Sequence, residues 1–245
     1  MIIAQKTESL LAMISFKKMQ KQGDVCAPIP KKSKKQSLIR FFYLLLRKMK
    51  VTMANNTIKI IQSLLFLANH QKNKKMDFMK AYKLLWLADR CHLRMYGRTI
   101  TGDKYFALPH GIVPTDAKHL LEGEATMLNN PESYFDSRIT ITGKHTFQAV
   151  AEPDKKEFSE SDIYVLSSIL SQYNHLEPKE LSELSHKYPE WKKYEGMLND
   201  KSSRNSFPVN MDLFFENCAE DNAELFNQDS ELLETSKELY HEYCR

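Results

Sequence analysis

The run Leu84-Leu85-Trp86-Leu87-Ala88 constrains the fold more than any other part of the chain. It lies in a stretch with helix punctuation at both ends. Asp77 is a residue type that caps a helix start, and Gly97 stands where a left-handed residue closes one. A helix over 77–96 that is apolar on every side in its middle has no face for solvent. The pattern therefore predicts a central helix buried all round, with other elements packed over it.

The flanking sequence supplies those elements. Ile58, Ile61, Leu65 and Ala68, with Ile60, Leu64 and Leu67 beside them, recur at helical spacing after a cap at Asn56 or Thr57. Lys104-Tyr105-Phe106-Ala107-Leu108 reads as a short strand closed by Pro109, Gly111 and Pro114. Thr115 to Leu128 reads as a helix capped by Thr115 or Asp116. Two β-branched and aromatic runs, Ser137–Ile141 and Thr146–Val150, flank Thr142-Gly143-Lys144-His145 and predict a hairpin.

Ser159 caps a helix to Tyr173, Pro178 starts a short one to His186, and Pro189 starts another around Trp191. Leu225/Phe226, Leu232/Leu233 and Leu239/Tyr240 then recur in an acidic background and predict one amphipathic C-terminal helix. The expected fold class is α+β, mainly α. Its parts are a central buried helix, a small antiparallel hairpin or sheet, and a C-terminal amphipathic helix. Seven glycines and nine prolines are too few for a many-turned β-sandwich.

Charge divides the chain. Residues 1–52 carry twelve Lys/Arg against Glu8 and Asp24, a net of +10, and the remaining residues carry 23 basic against 29 acidic, a net of −6. The basic pI thus belongs to the leader, and the usual inference from a basic pI to nucleic acid fails for the body. The leader holds Ala27-Pro28-Ile29-Pro30 and Lys31-Lys32-Ser33-Lys34-Lys35, a charge run without apolar periodicity. Its functional readings are a nucleic-acid arm, a membrane-surface anchor on 39–50, or a transit peptide. The preferred reading is a disordered stretch or an over-extended start, with Met53 as the natural one.

A chain from Met53 is then expected to fold and act like the full one. The expected domains are 1–52, 53–200, and an acidic C-terminal helical extension, 201–245. The longest apolar run, Phe41 to Leu46, is far short of the roughly 18 residues that cross a bilayer. Cys26, Cys91, Cys218 and Cys244 lie far apart with no CxxC, which fits a reducing, cytoplasmic setting better than a disulfide framework.

Sites of chemistry are harder to find. The chain has no GxGxxG, GxxxxGK[ST], GxSxG or HExxH. Asp89 and His92 share a helix face, and Asp103, His110 and Asp116 lie near one loop, which admits a metal-dependent hydrolase around Asp89, His92, Asp103 and His110. No paired base and orienter accompanies them. Cys91 fits a packed core position better than a nucleophile. Residues 163–191 have the length of a helix-turn-helix, but Glu177, Glu180 and Glu183 are acidic where a recognition helix should be basic. No catalytic residue, metal or cofactor is expected.

Two blocks resemble one family. Lys83 to Arg90, Tyr96-Gly97-Arg98, Thr101-Gly102-Asp103-Lys104-Tyr105 and Ala107 to Pro114 are similar to the signature of the Panacea domain, the SocA-like antitoxin family also met as phage-associated GepA-type proteins. Leu181-Ser182-Glu183-Leu184-Ser185-His186 followed by Trp191 resembles its later block. Thr99 and Ile112 stand where the family commonly has proline.

The motif residues are Leu85, Asp89, Arg90, Tyr96, Gly97, Gly102, Asp103, Tyr105, Pro109, His110, Gly111, Pro114, His186 and Trp191, and a mainly structural role is expected for them. Asp89-Arg90 is expected to form an ion pair at the core rim that holds the 98–114 loop. Asp103 is expected to cap that loop, and Pro109-His110-Gly111 to turn sharply with a positive φ at the glycine. The resemblance implies a non-catalytic antitoxin that binds a cognate toxin protein encoded nearby. A nucleic-acid partner is not favoured and no membrane is implied. Glu231, Glu234 and Glu238 are the expected toxin contacts, with the 98–114 loop next.

Overall fold

Residues 56–123, 132–200, 202, 204–221 and 223–243 are described by the computed structural model of the chain. The leader, with its expected boundary at residue 52, and positions 124–128 of the expected third helix lie outside them. Helix α1 (Asn56–Asn69) leads into a turn and a short strand β1 (Lys75–Asp77), and then into α2 (Phe78–Tyr96). The Asp77 carboxylate accepts from the Lys80 N–H at 3.2 Å. Gly97 takes φ 69° and returns its N–H to the Leu93 carbonyl. Both ends of α2 thus form as the sequence predicts, and every side chain from Ala81 to Arg94 is buried.

The predicted strand is β2 (Tyr105–Leu108), but it has two unforeseen partners. It pairs antiparallel with β3 (Gly111–Pro114) on one edge and with β6 (Phe207–Pro208) on the other. Gly111 and Pro114 therefore bound a strand rather than simply closing the loop. Four residues buried on both faces show no alternation, so β3 carries no period-2 signal. In the second sheet, β4 (Ile139–Gly143) and β5 (Thr146–Ala149) form the predicted hairpin, and β1 adds to the far edge of β5. Before β1, Asn73 and Lys74 take positive φ, 58° and 54°, and the Lys75 N–H bonds back to the Lys72 carbonyl.

Helix α3 (Thr115–Leu121) is shorter than predicted, and Gly123 follows it at φ 79°. Its N-cap residue is Pro114, not Thr115 or Asp116, and Pro114 has no side chain to do the capping. Further on come α4 (Glu132–Asp136), α5 (Glu160–Tyr173), α6 (Pro178–Ser185), α7 (Pro189–Lys192) and α8 (Glu195–Asn199). Ser159 and Asp162 form a capping box on α5, and Glu177 and Glu180 form one on α6.

The C-terminal stripe is not one helix. Leu225 and Phe226 sit in a separate 3-10 turn, Glu224–Phe226, and α9 begins only at Ser230 and runs to Tyr243. The seven-residue spacing carries across the break because both pieces cover the same core. Helix α2 packs against α1, α3, α5, α6, α9 and β3, and the fold is mainly α in an α+β arrangement. Phe214, Phe215 and Phe226 join Trp86, Leu64 and Phe147 in one core. All described residues belong to one unit, Met53–Arg245.

Candidate functional site

The middle of α2 is apolar by sequence, yet Lys83, Asp89, Arg90, His92 and Arg94 are all 0% exposed. Charged groups stay in a core only when their hydrogen bonds are made. Each of these side chains bonds the backbone of a neighbouring segment: Lys83 that of β3, Asp89 and His92 that of residues 98–101, and Arg90 and Arg94 that of residues 214–226.

Asp89 accepts from the Ile100 and Thr101 N–H groups at 2.7 and 3.0 Å, from the Thr101 hydroxyl, and from the Tyr105 hydroxyl at 2.7 Å. Burial pushes its carboxyl pKa up, against the pull of these donors. Arg90 does not pair with Asp89, and neither residue is at the rim. Adjacent residues on a helix point about 100° apart, so the two reach different segments. Arg90 Nε instead donates to Glu190 Oε1 at 2.9 Å, with both side chains fully buried. Its guanidinium also lies over the Tyr188 and Phe226 rings. The loop is held, as expected, by Asp89, but without Arg90 as its partner.

Gly102 takes φ 66° and its N–H donates to the Thr99 hydroxyl. Asp103 then accepts from Lys104, Asp116 and Ala117 N–H groups at 2.6, 2.9 and 2.9 Å. It therefore caps α3 from a distant loop, which explains how Pro114 can stand at the N-cap. Burial pushes its carboxyl up to about 7.

Pro109 and His110 are exposed at the tip between β2 and β3, and Gly111 takes φ 96°. A Cβ on Gly111 would come within 1.9 Å of Ser185 Oγ and 2.6 Å of Lys83 Nζ. Lys83 donates to the Ile112 carbonyl at 2.7 Å, and burial holds its pKa well below the usual lysine range. The later block closes over the same hairpin. Ser182 donates to the His110 carbonyl at 2.7 Å, and Trp191 donates to the Leu108 carbonyl at 2.9 Å while its ring stacks on His186 at 3.9 Å. Burial, and then the Lys83 cation, lower the His186 pKa. The two motif blocks are thus one structure.

The remaining motif residues are also placed. Leu85 is core, Tyr96 packs on His92 with ring centroids 4.6 Å apart, and Gly97 lies under α9. His92 Nδ1 donates to the Arg98 carbonyl at 2.8 Å, while Nε2 faces the Ser161 hydroxyl and Asp162. Burial lowers its pKa. Burial raises the Asp162 pKa, but His92, Arg98 and Lys59 outweigh it and hold that carboxylate well below the usual range. Asp89 and His92 consequently face different partners. Among the described residues no group of three or more His, Cys, Asp or Glu is placed to hold a metal. Glu177, Glu180 and Glu183 are exposed on the 163–191 segment. Glu231, Glu234 and Glu238 are exposed on α9, far from the motif in sequence.

Sequence reasoning passed over Arg94 and Glu190. Arg94 donates to the Phe214, Phe215, Glu216 and Phe226 carbonyls, and burial, then Arg90, lower its pKa to about 9. A signal existed: Lys83, Arg90 and Arg94 stand seven and four positions apart, one cationic stripe on a helix whose middle is apolar.

This geometry defines a mainly helical scaffold whose signature side chains hold its own loops. Residues 82–192 match the family described as antitoxin SocA-like, Panacea domain. No curated protein and no solved structure matches the chain. No helix among the described residues is long and apolar enough to cross a membrane.

Proposed function

We propose that the chain is a cytoplasmic antitoxin without catalytic activity, which neutralises a protein toxin from a neighbouring gene by direct binding. The observation that carries this reading is the Panacea-domain match together with the inward use of its motif. Asp89, Asp103, His92 and Lys83 each bond a nearby main-chain or side-chain group of the fold. Groups so engaged are not available to bind or activate a substrate. Partner choice then belongs on surfaces that can vary without unfolding the domain.

Helix α9 is such a surface. Its inner side is held at Gly97 and Phe215, and Glu231, Glu234 and Glu238 are exposed on its outer side. A basic toxin face is the complement, and charge pairing of this kind sets partner choice and association rate more than raw affinity. The test is co-expression with the neighbouring reading frame. The wild-type chain is expected to rescue growth, and the Glu231→Lys/Glu234→Lys/Glu238→Lys variant to rescue less with an unchanged melting temperature. Full rescue by the variant moves the contact to the 98–114 loop, and no rescue by either rejects the antitoxin reading.

A further inference from the structure

Residues 207–228 are held in the way a peptide is held by a receptor. Strand β6 adds to the free edge of β2, extended by the Val209 N–H donating to the Tyr105 carbonyl at 2.9 Å. Tyr194 donates to the Pro208 carbonyl at 2.8 Å, and its ring stacks on Phe207. Further along, Arg94 gathers the main-chain carbonyls of Phe214, Phe215, Glu216 and Phe226.

Strand addition and carbonyl capture read the backbone, so they accept many sequences. Side-chain choice rests on the Asp221 carboxylate, which accepts from the Tyr173 and Tyr188 hydroxyls, and on two aromatic anchors. Phe214 is fully buried beside Tyr105 with ring centroids 5.5 Å apart, and Phe226 lies under Arg90. Of the receiving residues, Arg90, Arg94 and Tyr105 lie inside the family-matched stretch 82–192 and Tyr194 just past it, and the held segment lies wholly beyond it. Among its described residues the regular structure is a two-residue strand and two 3-10 turns, so little internal bonding is lost when it leaves.

We propose that this face of the domain is a groove for extended peptide segments, occupied in cis by residues 207–228. A partner protein enters it with an extended segment carrying two aromatic anchors, displacing the chain's own. Arg94 keeps carbonyl partners throughout, because the incoming backbone replaces the outgoing one. The inference goes beyond the toxin reading and does not need it, since exchange is measured with no toxin present.

The test adds a fluorescent peptide of sequence 205–228 to the full chain and follows anisotropy, with amide hydrogen exchange over 207–228 in parallel. The expected result is saturable binding, faster exchange of the chain's own 207–228 amides, and unchanged protection of α2. A peptide carrying Phe214→Ala is expected to bind roughly tenfold more weakly, as loss of a buried aromatic anchor does. Placing the substitution in the peptide leaves the protein's fold untouched. No binding at about 1 mM peptide, a floor for weak specific complexes, overturns the proposal. Equal binding of both peptides, or binding without change in the 207–228 amides, overturns it as well.

Discussion

Arg90 and Glu190 stand 100 positions apart in sequence and meet at 2.9 Å in a site where both side chains are shut off from water. The same Glu190 oxygen accepts from the Trp86 indole at 3.0 Å. The pair ties the first motif block to the second. Removing one member leaves the other charge buried without its partner, which costs about 3–5 kcal/mol. Glu190→Ala is expected to lose that much in urea unfolding, and Arg90→Met/Glu190→Leu to lose clearly less than the sum of the single changes.

Trp86→Ala is expected to destabilise by about 3–5 kcal/mol, the usual cost of emptying a large aromatic site. Its ring is fully buried and meets Tyr188 edge-on at 4.8 Å. A change below about 1 kcal/mol in chemical denaturation contradicts this packing.

Gly111→Ala is expected to cost about 3 kcal/mol, from positive φ and from overpacking against Ser185 together. The 1.9 Å approach to Ser185 Oγ is the larger part, so adding Ser185→Gly is expected to recover some of the loss. Equal stability of the single and double variants in thermal melts rules out that partition.

Asp103 gives the stability curve a sign. Its carboxyl is raised to about 7 in the folded state, so the folded chain holds that proton more tightly than the unfolded one. Its contribution is fully present below the unfolded value near 4, and is lost as pH rises through 7. Asp162 is depressed and works the other way, losing its contribution as pH falls below 4. The stability of the wild type relative to Asp103→Asn is therefore expected to fall as pH rises from 4 to 7, in urea unfolding of the two proteins side by side, with the acid limb the same in both.

Lys74→Gly is expected to stabilise the chain by about 0.5 kcal/mol. The left-handed backbone at 54° costs a lysine about 1 kcal/mol that glycine avoids, less the extra freedom glycine has when unfolded. The exposed Lys74–Glu152 pair is lost, but such pairs contribute little. A lower melting temperature for the variant refutes the turn argument.

The parts of the fold readable in the sequence were those with local rules. Asp77, Gly97, Ser159 and Pro178 mark helix ends because capping needs only neighbours within one turn. The β4–β5 hairpin is readable because its strands follow one another. Strands β1 and β6 were silent, being three residues or fewer with partners elsewhere in the chain, and β3 was silent because burial on both faces leaves it no alternation. The motif residues were legible as a set. Their partners were not, since a buried charge declares only that it has one. Arg90 was assigned to its neighbour Asp89, whereas three-dimensional packing gave it Glu190.

The reach of Arg94 bears on how the chain can be made. Its carbonyl partner on Phe226 comes 132 positions later, and Ile112 follows Lys83 by 29. Synthesis proceeds from the N-terminus at roughly 5–20 residues per second. For several seconds the nascent chain therefore holds a helix whose cations have no protein acceptors. The Lys83 ammonium keeps its water until β3 emerges, and the Arg94 guanidinium until the segment around Phe226 does. The innermost helix of the finished protein is, in the order of drying, among the last parts to become interior.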